Sequence, residues 1–237
     1  MQLIEALRTT PTVRQFTPQP VEDELVFQIL DDARFAPSGG NRQAWHVIVV
    51  RDPDVRRAVR DAYLEAWHDY VAHLLAGLIP FSPLASDEDR ARALSQRAAA
   101  EQRSKPNGFP ENLDSVPVML VVCANLEVLA ATDRDLDRYQ IAGGASIYPF
   151  VWNILLSARE RGLGGVITTV AMRREDEVCR ALNIPTTFAL ASVMALGYPT
   201  THVTKLSRRS VESFTTIDAF DGEPLTACVL FGPTGSP

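Results

Sequence analysis

The chain has 237 residues, 46% of them hydrophobic and 22% charged, so it holds ample material for a core and does not read as disordered. Its formal net charge of -6 argues against nucleic acid or an anionic membrane as the main partner, because such binding rests on a basic surface. Cys123, Cys179 and Cys228 are odd in number and far apart, which fits neither a disulfide framework nor a compact zinc site and suits a reducing, cytoplasmic setting.

In chain order, Met1 to Arg8 carries an acid at Glu5 and no long apolar run, so no signal peptide is expected; Leu3 and Leu7 predict a short amphipathic helix ending near Pro11. A basic elbow follows at Arg14. Acids at 22–24 open a second helix, with Leu25, Ile29, Leu30 and Ala33 at helical spacing, that stops before Pro37. Trp45 to Val50 predicts a buried strand, and Asp52-Pro53 starts a long helix through Tyr63, Trp67 and Tyr70. Residues 78–114, rich in Pro, charge and Ala, read as an excursion or lid around one Arg/Ala-rich helix, too poor in apolar residues for a core of their own. Strand returns at 116–124. Ile141 to Arg161 predicts a buried helix kinked at Pro149, ended by Gly162 to Gly165. A short strand at 166–169, a helix at 175–182 and a long strand at 188–196 complete the pattern, and no stretch is long and apolar enough to span a bilayer.

The segment from Ala36 to Trp45 concentrates unusual chemistry between a helix and a strand. Pro37 bars helix continuation, and Gly39-Gly40 permit backbone angles and approaches that a Cβ resists. Ser38, Asn41 and Gln43 offer hydroxyl and amide groups to a planar heterocycle rich in donors and acceptors, and Arg42 fits a pocket cation and a surface charge alike. Elsewhere, Thr132 to Asp137 lacks the glycine and terminal glutamate of a calcium loop and reads as a solvated acidic turn. The four histidines have no metal-ligand spacing with the cysteines, so no metal is expected, and Gly162-Leu163-Gly164-Gly165 follows a helix and precedes a strand, the reverse of a dinucleotide fingerprint.

Four segments in order resemble the FMN-dependent nitroreductase family: the elbow Thr12-Val13-Arg14-Gln15-Phe16, the Ala-Pro-Ser loop leading into a Trp-led strand at 36–50, Gly162 to Thr169, and Gly197-Tyr198-Pro199 followed by Lys205 to Arg209. The resemblance implies an α+β fold with a mainly antiparallel central sheet surrounded by helices. It also implies one nitroreductase domain over 1–237 with a C-terminal extension after about 214, and a homodimer, since family sites draw on both subunits. FMN is the implied cofactor and NADPH or NADH the reductant. On this resemblance Thr12 and Arg14 would meet the flavin phosphate, helped by Lys205, Arg208 or Arg209. Ser38, Asn41 and Gln43 would meet the pyrimidine end of the ring, while Gly165, Ile167, Thr168 and Thr169 would lie along the ring and N5. Thr168 and Thr169 are equally strand residues of high β-propensity.

By the family's chemistry no side chain acts as nucleophile or base, so no catalytic residue is assigned. The implied activity is ping-pong hydride transfer to nitroaromatic, quinone or similar small-molecule acceptors. Reductive dehalogenation, flavin cleavage, activated-alkene reduction and flavin binding without turnover are the alternatives. One departure weakens the phosphate end: many members carry Arg-Arg-Ser where this chain has Thr10-Pro11-Thr12, so two cations and an N–H donor are missing.

Overall fold

Trp45–Val50 forms strand β1, Val118–Asn125 β2, Gly164–Thr168 β3 and Phe188–Gly197 β4 in a computed structural model that describes residues 2–227; Cys228 lies outside them. The four make one antiparallel sheet in the order β1-β2-β4-β3. Strand alternation then builds two cores. Val118, Leu120 and Val122 face one with Ile29 and Ile154, while Met119, Val121 and Cys123 face the other with Val59, Tyr63 and Val178. With both faces covered, β2 is apolar from Val118 to Ala124 rather than at alternate positions.

Helices α1 (Leu3–Thr9), α2 (Asp23–Ala33) and α6 (Tyr148–Glu160) belong to the first face, and α3 (Pro53–Leu75) and α7 (Glu175–Leu182) to the second. The expected α+β architecture, an antiparallel sheet surrounded by helices, is the one observed. Asp52 caps α3 by accepting from the Asp54 and Val55 N–H groups at 2.8 and 3.0 Å, with Pro53 in the first turn, where no partner is needed. Asp32 on α2 accepts from Ser157 and Arg161 at 2.7 Å each, tying α2 to the end of α6; the Ser157 hydroxyl, then Arg161, holds its carboxyl below the ordinary value. The buried Arg56 guanidinium donates to the carbonyls of Asp114, Val50 and Val116, so one α3 side chain fixes where β1 ends and β2 begins.

Three local expectations are corrected. The segment 141–161 is not one kinked helix: a 3-10 turn at Ala142–Ser146 precedes α6, and Pro149 sits in the first turn of α6, where its missing N–H costs nothing. The excursion carries two helices, α4 (Asp87–Ser95) and α5 (Arg97–Glu101), rather than one. The break falls beside Arg97, whose guanidinium is anchored by Glu65 at 2.6 Å, Asp69 at 2.5 Å and Glu101 at 2.8 Å, pinning the chain back onto α3. Finally, Asp133 is not solvated: it is buried, accepting from the Ile141 and Ala142 N–H groups at 2.7 and 3.1 Å and from Arg138 at 2.9 Å.

Those bonds, the Ile141 N–H foremost, hold the Asp133 carboxyl below its ordinary 3.8. A lowered folded value lends stability that is full above the unfolded value and lost as pH falls through the folded one. Asp133→Asn is therefore expected to lower the melting temperature at neutral pH and to converge with the parent chain in acid. A gap of constant size across that range would show that Asp133 acts by packing alone.

Residues from Thr204 onward form a second unit, with a 3-10 turn at Val211–Ser213 and a Thr216–Pro224 bridge.

Candidate functional site

The elbow lies along the outer edge of β3. Thr12 bridges Gly165 in parallel, the Val13 N–H donates to the Gly165 carbonyl at 2.8 Å, and the Thr17 N–H donates to the Tyr198 carbonyl at 2.8 Å. Gly164 makes this possible, since a Cβ there would stand 2.7 Å from Val13 Cγ2. Because Gly165 turns its carbonyl outward, alternation turns the backbone groups of Ile167 toward the same edge, where no further strand lies among the described residues.

Thr12 and Arg14 are exposed, and Arg14 has no ion-pair partner among the described residues. Arg14 also acts on Tyr63: burial pushes that phenol up, opposed by its hydrogen bond with Thr168 and by the Arg14 charge. Arg14, Tyr63 and Thr168 thus share one neighbourhood. Thr168 itself is buried, its hydroxyl oxygen accepting from the Val170 N–H at 3.4 Å, whereas Thr169 is exposed at the strand's end.

The Ser38 loop is a second cluster. Gly40, Asn41 and Gln43 all have positive φ, at 61°, 53° and 49°, an unusual density for a loop in which two of the three carry a Cβ. Local bonds hold it: the Gln43 N–H donates to Ser38 Oγ at 2.9 Å, and the Gly39 N–H donates to Ser146 Oγ at 3.0 Å. Trp45, next in the chain, stacks on Phe150 at 4.6 Å and anchors the loop to α6. The Asn41 and Gln43 amides and Arg42 remain exposed. No hydrogen bond or β-bridge among the described residues joins this cluster to the elbow.

Lys205, Arg208 and Arg209 belong to the second unit and are exposed there. Two cavities complete the description. One of about 710 Å³ has Arg14, Thr17, Asn107 and Asn112 on its wall. The other, about 900 Å³, is walled by Thr169, Tyr70, His73, Phe81, Tyr139 and Arg173 among others, and reasoning from the sequence missed it. Of the aromatic residues spaced along α3, Tyr70 lines it; the return of Phe81 to Tyr70, and of Arg173 to Phe81, had no local signal. Among the described residues no group of three or more His, Cys, Asp or Glu has the arrangement to hold a metal ion, and no helix is long and apolar enough to cross a membrane.

A four-stranded antiparallel sheet between two helical layers, with a glycine-backed elbow on its edge strand, defines a protein of the nitroreductase fold. The chain belongs to the Nitroreductase family, whose profile matches residues 7–198. It is 25% identical over 200 residues to a putative NADH dehydrogenase/NAD(P)H nitroreductase of Archaeoglobus fulgidus, covering 84% of this chain and 86% of that one. It is also 27% identical over 199 residues to a 5,6-dimethylbenzimidazole synthase of Rhodospirillum rubrum, covering 79% and 77%. In three dimensions it resembles an oxidized iodotyrosine deiodinase bound to FMN and 3-iodo-L-tyrosine, with a TM-score of 0.63 at 21% identity, over 92% of this chain and all of the other.

Proposed function

We propose that this protein is an FMN-dependent NAD(P)H oxidoreductase working as a homodimer on electrophilic small molecules such as nitroaromatics and quinones. One observation carries the reading: the elbow that carries Thr12 and Arg14, the latter without an ion-pair partner among the described residues, is bonded to the open edge of β3, the edge to which Ile167 also turns its backbone groups. The residues present fit a flavin mononucleotide. A phosphate needs a guanidinium and hydroxyl or N–H donors, and the ring needs hydrogen-bonding partners along one edge. The chemistry that bound FMN would supply is ping-pong hydride transfer between a reduced nicotinamide and the acceptor.

The chain's own part is to bind and to orient. Arg14 and Thr12 hold the phosphate side, the backbone of Gly165 and Ile167 with Thr168 and Thr169 flanks the ring, and Ser38, Asn41 and Gln43 take its polar end. Lys205, Arg208 and Arg209 are assigned to the phosphate from the sequence alone. Among the described residues no hydrogen bond or β-bridge ties the Ser38 cluster to the elbow within one copy, which fits a site completed by the loop of a second copy. Exposed Phe35, which adjoins that loop in the chain, and exposed Phe27 on α2 support the same association. Residues 78–114, tied to α3 through Arg97, serve as the lid, and the free thiols of Cys123 and Cys179 suit a cytoplasmic setting.

The purified protein is expected to be yellow, to bleach on adding NADPH or NADH, and to recover its colour with a quinone. Colour that no nicotinamide bleaches supports flavin binding without turnover, and failure to take up FMN at all overturns the reading. Replacing Ser38 and Asn41 together with alanine is expected to lower FMN occupancy, measured as flavin released per chain on denaturation; unchanged occupancy removes the loop from the site.

A further inference from the structure

The 900 Å³ cavity is of a size suited to a small-molecule ligand, and its wall is chemically lopsided. Its aromatic side is continuous: Tyr70 lies 6.4 Å from Phe81, and His73 lies 4.9 Å from it. The charges on the wall are spoken for, with one exception. Asp69 is engaged by Arg97 and, at 3.5 Å, by Arg174. Arg97 has three carboxylate partners, and Arg90 is held by Asp87 at 2.6 Å and by the Ala85 carbonyl. Arg173 has no carboxylate partner among the described residues; its guanidinium sits 5.2 Å from the centroid of the Phe81 ring and is exposed.

Phe81 adds an independent observation. Its φ is +55°, a left-handed conformation that is costly for a bulky residue. Pro80 and Pro83 flank it on the same cavity wall. Backbone held at that cost, with the ring turned under a free guanidinium, marks a ligand clamp better than a simple turn.

We propose that this cavity is the acceptor site and that it selects planar aromatic monoanions, carboxylates in particular. The ring of such a ligand lies against Phe81 and Tyr70, and its carboxylate pairs with Arg173 in place of the missing acidic partner. Thr169 puts the cavity at the end of β3, next to the ring position proposed above. The word acceptor rests on that flavin reading; the selection of an aromatic anion does not.

The full chain, incubated with FMN, is dialysed to equilibrium at neutral pH against 4-nitrobenzoate and against its neutral isostere 4-nitrobenzamide. The parent chain is expected to bind the anion about tenfold more tightly, the scale of one charge-assisted hydrogen bond. Arg173→Gln is expected to abolish that preference while leaving the amide's binding unchanged, and Arg92→Gln, on the exposed side of α4, is expected to keep it. Equal binding of the two ligands by the parent chain, or a preference that survives Arg173→Gln, overturns the assignment. FMN uptake and nicotinamide bleaching, measured separately, tell the two ideas apart: an anion preference in a chain that takes up no FMN removes the flavin reading and keeps the site, and bleaching without a preference does the reverse.

Discussion

Gly165→Ala is expected to destabilise the fold by about 3 kcal/mol and, on the flavin reading, to lower FMN occupancy, because the backbone beside that position cannot yield cheaply. An added Cβ would stand 2.4 Å from Leu196 Cδ2, 2.6 Å from the Ala195 carbonyl oxygen and 2.9 Å from Leu155 Cδ2. A leucine end group can turn aside, but the Ala195 carbonyl belongs to the β4 ladder that pairs with β3. Relief therefore has to come from a shift of β3, which carries the Thr12 bridge and the Val13 hydrogen bond with it. Guanidinium denaturation followed by circular dichroism reads the loss; an unchanged midpoint would mean that the sheet opens at this edge more easily than the packing implies.

Arg14→Gln is expected to weaken FMN binding about tenfold while leaving the melting temperature of the FMN-free chain unchanged, since the side chain is exposed and makes no ion pair among the described residues. Thr10-Pro11-Thr12 offers no second cation in the elbow, so the loss is not shared locally. Arg14→Lys should recover only part of it, because an ammonium keeps the charge and loses the fork of donors. The effect should also shrink as salt is raised. Flavin fluorescence titration measures all three, and an affinity insensitive to both substitutions would take Arg14 out of the phosphate site.

Much of the architecture was legible because each element states its period and its ends locally. Val118 to Ala124 announces a strand covered on both faces, Asp52-Pro53 announces the start of α3, and the acids at 175–177 announce α7. The misread places are those where a distant partner decides. Pro149 looks like a kink until the chain before it is seen to bend as a 3-10 turn, and Asp133 looks solvated until the Ile141 and Ala142 N–H groups close over it. The elbow and the glycine segment were both visible as motifs, but their meeting at Gly165, about 150 residues apart in sequence, is a tertiary fact. The cavity at Phe81 was hidden for the same reason.

That meeting at Gly165 also bears on how the molecule stays apart from its neighbours. An edge strand with free N–H and C=O groups is a template for pairing with another chain, and β3 is an edge strand. The Thr12–Val13 segment occupies one end of its open side, and the 3-10 turn at Val170–Arg174 curls the chain away at the other. The stretch left bare around Ile167 is too short for a foreign strand to register against, yet long enough for the polar rim of one small molecule. A chain shortened past Phe16 would therefore lose more than an arginine: it would bare the covered end of β3's outer side, and self-association would follow before any question of cofactor arose.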